Sequence, residues 1–283
     1  MNFRTDLAIE RREVVQHPDD GLSVDELDVG DVKITRIRVL NADGEREMQK
    51  PIGNYITIET PPFIREAVID PNHLSAVKSE IARLLPEKGT VLVCGIGNTD
   101  ITPDALGPKT ASLILATRHI SGEIARSAGL GELRPVAVVA PGVLGQTGME
   151  TGEMLTGIIE RIKPSAVIAV DALASRRLQR LGCTIQIADT GVTPGSGVGN
   201  ARLELSRKTL GIPVIAVGVP TVVDAQTMVR DLTGADCEKQ ASRMVVTPKE
   251  IDLLIERASR LIAHGINCAL QPHIDPDELL LLV

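Results

Sequence analysis

An α/β fold, with a mostly parallel sheet covered by helices on both faces and a small N-terminal β region, is predicted by three features of this sequence. Short apolar runs end in loops bearing glycine or aspartate. Most of these runs are followed by a stretch with helical periodicity. Strand and helix signals alternate over most of the 283 residues, which is the pattern of a parallel sheet whose crossovers are helices.

The first 20 residues or so are charged, carry Pro18 within an acidic stretch and read as a surface arm. Val32 to Leu40 alternates, with a slip at Thr35-Arg36 that reads as a bulge, and Tyr55 to Glu59 alternates again. These two half-exposed strands either form an outer layer or extend the main sheet, making residues 30–62 a β-rich appendage.

Asp70-Pro71 caps a helix over Asn72 to Leu85, whose apolar stripe is Leu74, Val77, Ile81, Leu84 and Leu85. Val91 to Cys94 is a buried strand that empties through Gly95 and Gly97 into Thr102-Pro103-Asp104, a helix start. Leu106, Thr110, Leu113, Ile114 and Thr117 share the next helical face. Val136 to Ala140 is a second strand, and Thr147 to Glu150 has capping-box spacing before a helix lined by Met154, Ile158, Ile159 and Ile162.

Ala166 to Val170 is a third strand running into Asp171, with a short helix expected over Leu173 to Leu181 and stopped by Gly182. Thr184 to Ala188 and Pro213 to Val217 add two strands, separated by a glycine-rich loop at residues 190–200. The last helix carries Ile251, Leu254, Ile255, Ala258, Leu261 and Ile262 behind a second box-like spacing at Thr247 to Glu250.

Composition removes several function classes. A net charge of −7 opposes a nucleic-acid surface, and Phe3, Tyr55 and Phe63 are the only aromatic residues available to stack on a base. No apolar run has the length of a membrane span, and the first residues lack the apolar core of a secretory signal, so the expected address is cytoplasmic. Cys94, Cys183, Cys237 and Cys268 form no C-x-x-C pair and read as buried thiols.

Familiar motifs fail in informative ways. Asp100 stands where a dinucleotide fingerprint needs its third glycine, and no P-loop is present. Ser196 lacks the flanking glycines of a nucleophile elbow, and the five histidines avoid the strand ends. No cofactor and no metal site are read from these residues.

What remains is a pair of carboxylates. Asp104 and Asp171 each follow a strand expected to end at the same sheet edge, where open α/β sheets place their ligands. Near a helix start, Asp104 is favoured as the anion and base; Asp171, flanked by Val170 and Ala172, is placed to hold a proton and act as acid. Asp100, Asp189, Glu150 and Glu153 compete for the same roles.

Specific strings sharpen this reading. They are Thr102-Pro103-Asp104-Ala105-Leu106-Gly107-Pro108, Ala140-Pro141-Gly142-Val143, Ile168-Ala169-Val170-Asp171-Ala172-Leu173-Ala174, Asp189-Thr190-Gly191 with Pro194 to Asn200, Gly218 to Ala225, and Val246 to Glu250. Together they resemble the germination protease family of spore-forming bacteria over nearly the whole chain. The resemblance implies a homotetrameric endopeptidase of atypical aspartic type. Its substrates would be small acid-soluble spore proteins, in the forespore and spore core, and Asp104 and Asp171 would be its catalytic pair.

It also implies a zymogen that removes its own N-terminus. Arg4-Thr5-Asp6-Leu7-Ala8-Ile9-Glu10 resembles both the processing site and the family's substrate sites, so cleavage is expected between Asp6 and Leu7, leaving residues 7–283 as a single peptidase domain. An acidic residue before the bond asks for a cationic pocket, for which Lys109, Arg176 and Arg177 are the candidates. The chain departs from the family in its short connection between Val229 and Met244.

Two other readings stand beside this one. The family's fold resembles the hydrogenase-maturation endopeptidases, which admits a metal-dependent peptidase with carboxylate and water ligands. A non-catalytic scaffold that holds a peptide or anion on its glycine-rich loops is the other.

Overall fold

The computed structural model describes residues 5–15, 21–65, 67–199, 202–234 and 244–283. The first four residues, the stretch around Pro18, Asn200, Cys237 and most of the connection after Thr233 lie outside the described residues. In chain order the elements are α1 (Ala8–Arg12), β1 (Leu22–Val29), β2 (Val32–Val39), α2 (Ala42–Met48), β3 (Gly53–Glu59), α3 (Pro71–Ala82) and β4 (Val91–Ile96). There follow α4 (Leu106–Ser112), α5 (Gly122–Ser127), β5 (Val136–Gly142), α6 (Leu144–Thr147), α7 (Thr151–Ile162) and β6 (Ala166–Ser175). The remainder is β7 (Thr184–Ala188), α8 (Arg207–Leu210), β8 (Val214–Asp224), α9 (Ala225–Thr233), β9 (Val245–Val246), α10 (Ile251–Leu270) and α11 (Pro276–Leu281).

One sheet organises the chain, in the order β1-β2-β3-β7-β8-β6-β4-β5, with β9 paired to β8. Its centre, β8-β6-β4-β5, is parallel, and β1-β2-β3-β7 is an antiparallel wing joined to it through β7 and β8. The expected α/β architecture is present, and β3 extends the main sheet rather than forming a separate layer.

Helices cover both faces. On one face α3, α4 and α10 pack against Ile34, Ile56, Ile58, Ile185, Ile187, Ile168 and Val170. An aliphatic side chain buried this fully contributes about 1.5–3 kcal/mol, so this layer holds the sheet. The opposite face has two separate covers. Leu155 of α7 and Leu210 of α8 lie over Leu92, Cys94, Val167 and Val214, whereas Ala8 of α1 and Met48 of α2 lie over Ile37, Val39, Tyr55 and Ala188.

Several local expectations change. The slip at Thr35-Arg36 is not a bulge, because β2 keeps unbroken register with β1 and with β3. Val32 and Ile34 face the α3 side while Ile37 and Val39 face the α1–α2 side, so the buried face switches along one regular strand. Nor is β3 half-exposed: Tyr55 to Ile58 are buried on both faces. The wing begins at Leu22, ahead of residue 30, with an edge strand exposed over most of its length.

The arm is corrected over residues 5–15. Leu7, Ala8 and Glu10 are 0% exposed, so this segment is docked on the body. The helix after Leu106 stops at Ser112, short of Thr117. The box expected at Thr147 forms three residues later, where the Glu150 amide donates to the Glu153 carboxylate at 3.2 Å. At Thr247 the hydroxyl instead donates to the Thr221 carbonyl at 2.9 Å.

The change that matters most concerns β6. It continues past Asp171 to Ser175, paired with β8 as far as Val223, so Asp171 is an interior strand residue and only Leu178–Arg180 make a helical turn after it.

Candidate active site

Two close approaches set the glycine turn after β4 against the neighbouring strand. Gly97 has φ +128°, and a Cβ there would lie 2.0 Å from the Asp104 carbonyl oxygen. A Cβ on Gly107 would lie 2.2 Å from the Ile96 carbonyl oxygen and 2.4 Å from that of Val170. Thr102–Asp104 is thereby folded back over the end of β4 and the middle of β6 as a single 3-10 turn, and the Thr221 hydroxyl donates to the Pro103 carbonyl to hold it.

Asp104 and Asp171 are near enough for the Asp104 carboxylate to raise the Asp171 pKa, although Asp171 lies within β6 rather than at its end. Asp104 is half-buried; burial raises its pKa and the Asn98 amide, donating to its carboxylate at 2.8 Å, opposes that rise. Its anion is therefore favoured by a loop amide rather than by the amides of the following helix. Asp171 is 5% exposed, and burial, then the Asp104 and Asp6 carboxylates, push its carboxyl well above the usual range. The Ala172 amide donates to Asp171 at 2.9 Å and acts the other way. Two neighbouring acids with unequal burial are poised to hold one proton between them, mainly on Asp171.

Asp171 lies in the wall of a cavity of about 710 Å³ that opens where the two covers of the sheet face part. Gly218 is its Cα partner on β8, and Gln186 of β7 completes that row of the floor. Asp104 is not part of the cavity wall and approaches Asp171 from the β4 side. Gln49 and Lys50, following α2, form the far wall together with Arg11.

The chain's own N-terminal segment enters this cavity. β4 pairs with β6 only as far as Val170, so the β6 edge beyond is open to a new partner. There the Asp6 amide donates to the Ala174 carbonyl at 2.9 Å, and the Ala174 amide donates to the Asp6 carboxylate at 2.8 Å. The Ser196 hydroxyl donates to the other Asp6 oxygen at 2.8 Å, and the Ala8 amide donates to the Gln186 side chain at 3.0 Å. The Lys50 ammonium donates to the Asp6 carbonyl oxygen at 2.9 Å.

Glu10 is a second anchor. Its carboxylate accepts from the amides of Arg176 at 2.7 Å and Arg177 at 2.9 Å, and from the Thr5 hydroxyl. Arg180 stands 3.6 Å away and also pairs with Glu13 and Glu59. Burial nonetheless raises the Glu10 pKa.

The expected cationic pocket has a different composition. Lys109 is exposed on α4 outside the cavity wall. Arg176 lines the cavity, but it and Arg177 meet the segment through backbone amides at Glu10, and the Arg177 side chain turns to Glu13 at 2.8 Å. The Asp6 carboxylate is hydrogen-bonded by a hydroxyl and an amide, and the cations that act on it through space are Arg11 and Lys50.

The competing carboxylates have local partners. Asp189 accepts from Asn54, Asp100 from Gln146, and Glu150 and Glu153 begin α7. Among the described residues, the one group able to offer three clustered metal ligands is Asp31, Asp70 and His73, none of which lines the cavity. Lys50, Gln186 and Arg180 were missed as site residues. A lone glutamine inside the apolar strand Thr184–Ala188 was a usable signal, whereas nothing around Lys50 marked it.

Relatives are found along nearly the whole chain. The family of germination proteases matches residues 4–234. The germination protease of Clostridium acetobutylicum is 43% identical over 98% of this chain and 98% of its own length, and that of Caldanaerobacter subterraneus is 43% identical over 99% and 97%. The Halalkalibacterium halodurans germination protease is 35% identical over 98% and 96%. These alignments run to 321 and 359 positions in the first and last cases, so those relatives carry residues with no counterpart here. Among solved structures, the [NiFe] hydrogenase maturation protease HycI of Thermococcus kodakarensis covers 66% of this chain and 98% of its own at 22% identity, with a TM-score of 0.38.

Proposed function

We propose, from the premise that this chain belongs to the germination protease family, that it is an endopeptidase of small acid-soluble spore proteins, with Asp104 and Asp171 activating the attacking water. The observation that carries the reading is the meeting of three features in one place. A buried, proton-holding Asp171 lies beside the more exposed Asp104, and a peptide of acidic-aliphatic-alanine sequence is docked across the cavity that Asp171 borders, with Asp104 behind its wall.

In this reading Asp104 takes a proton from water as the oxygen adds to the carbonyl carbon, and Asp171 gives its proton to the departing nitrogen. The docked segment supports a zymogen cleaved between Asp6 and Leu7, in which residues 1–6 are the removed peptide. Asp6 and Glu10 would mark the positions at which a spore protein must also be acidic. The same reading places the enzyme in the forespore and spore core as a homotetramer. No helix among the described residues is long and apolar enough to cross a membrane.

Incubation of the purified chain with an acid-soluble spore protein, with fragments mapped by mass spectrometry, tests the proposal. Cleavage after an acidic residue followed by an aliphatic one is expected. An intact spore protein would count against it and favour a peptide-holding scaffold.

A further inference from the structure

Asp6 O is the carbonyl oxygen of the Asp6–Leu7 peptide bond, and a single side chain touches it among the described contacts. The Lys50 ammonium donates to it at 2.9 Å, within the 2.7–3.1 Å typical of groups that hold a developing oxyanion. Lys50, Asp6 and Asp171 all border the same cavity, so the bond has a cation on its oxygen and solvent-sized space beside it.

Lys50 is held for this task by its neighbours. Asn41 caps α2 by accepting from the Asp43 and Gly44 amides, and the helix ends on Gln49 in the left-handed region at φ 52°. The chain thereby turns at once into Lys50-Pro51. The Gln49 side chain accepts from Arg11 at 2.7 Å, which ties the turn to α1. Burial lowers the Lys50 pKa, the Asp6 carboxylate opposes this by favouring the charged form, and the Arg11 guanidinium adds a smaller lowering. A poorly hydrated cation interacts more strongly with charge that appears only during the reaction.

We infer that Lys50 is a third catalytic residue, the electrophile that receives the negative charge of the Asp6 carbonyl oxygen during cleavage of the Asp6–Leu7 bond and of the equivalent bond in a substrate. This inference rests on the processing site and the aspartate pair proposed above. Water adds to the Asp6 carbonyl carbon and passes a proton to one aspartate, and the π electron pair moves to the oxygen facing Lys50. Collapse restores the C=O bond and breaks the bond to the Leu7 nitrogen, which takes a proton from the other aspartate. The products are a carboxyl group on Asp6 and an amine on Leu7.

A purely structural role for Lys50 would be to anchor the segment, and the two roles separate in the full-length chain. Lys50→Met and Lys50→Arg are made, each checked by a thermal melt, and first-order self-cleavage is followed by intact mass. Docking is read independently from hydrogen exchange at the Asp6 and Ala8 amides, whose acceptors are Ala174 and Gln186. In Lys50→Met the cleavage rate is expected to fall roughly 100- to 1,000-fold with amide protection retained within about threefold, and Lys50→Arg to recover part of the rate.

A rate loss matched by an equal loss of protection makes Lys50 an anchor and overturns the inference, as does an unchanged rate. Cleavage of the parent chain at a bond other than Asp6–Leu7 overturns it too. That last outcome removes the processing-site reading itself, whereas the first two leave that reading intact.

Discussion

Asp6 and Ala174 exchange two hydrogen bonds, one between backbones at 2.9 Å and one from the Ala174 amide to the Asp6 carboxylate at 2.8 Å. The N-terminal segment is thus fastened to the strand that carries Asp171, three residues beyond it. The candidate cleavage site and the candidate acid are tied to the same strand.

The fit around Asp6 is tight enough to test with one methyl group. A Cβ on Gly197 would lie 2.1 Å from the Asp6 carboxylate and 2.6 Å from the Ala174 Cβ. Gly197→Ala is expected to slow self-processing at least tenfold and, through the clash with Ala174 of β6, to lower the melting temperature as well. Normal processing, seen by intact mass, would show that Asp6 is not bound in this pocket during cleavage.

Glu10→Ala tests the second anchor. It would leave the part-buried Arg176 and Arg177 amides without their acceptor and loosen the segment. Greater hydrogen exchange over Thr5 to Arg12 is expected, together with slower processing. Unaltered exchange would mean that the Asp6 and Ala8 hydrogen bonds and the burial of Leu7 and Ala8 hold the segment without Glu10.

Much of this arrangement was legible in the sequence. The strand starting at Val91, the turn through Gly97 to Asp104, and the strand bearing Asp171 are marked by apolar runs that stop at glycine or aspartate, a signal with a direct cause in burial. The length of β6 was not legible, because Ala172-Leu173-Ala174 fits a strand or a helix equally and only its pairing with β8 decides. β1 escaped because an edge strand exposed over most of its length shows no buried alternation. Lys50 could not be found either, since its meaning arises from a contact with residue 6 across the fold.

Stability should respond to Asp171 in a direction opposite to activity. Its folded-state pKa is raised above the ordinary 3.8, so between these values the folded chain binds more protons than the unfolded one. Stability attributable to this group is present below 3.8 and declines as pH rises through the raised value. Asp171→Asn removes that penalty, so its melting temperature should exceed that of the parent by more at pH 8 than at pH 4. A gap that is constant across pH would contradict burial of the neutral acid.

The pH dependence of catalysis follows from the same pair. With Asp104 required as the anion and Asp171 as the acid, kcat/KM should be bell-shaped, and its two limbs belong to the coupled pair. The rising limb should lie above 3.8, because burial raises Asp104 as well. A rate that keeps increasing as pH falls below 3.8 would rule out an ionised Asp104 as base.

Whether two aspartates share the work is decided by Asp104→Asn and Asp171→Asn, made separately and assayed on an acid-soluble spore protein. Each variant should fold and lose roughly 100- to 10,000-fold in kcat, the range removed with a general acid or base. Full activity in either variant would contradict the account.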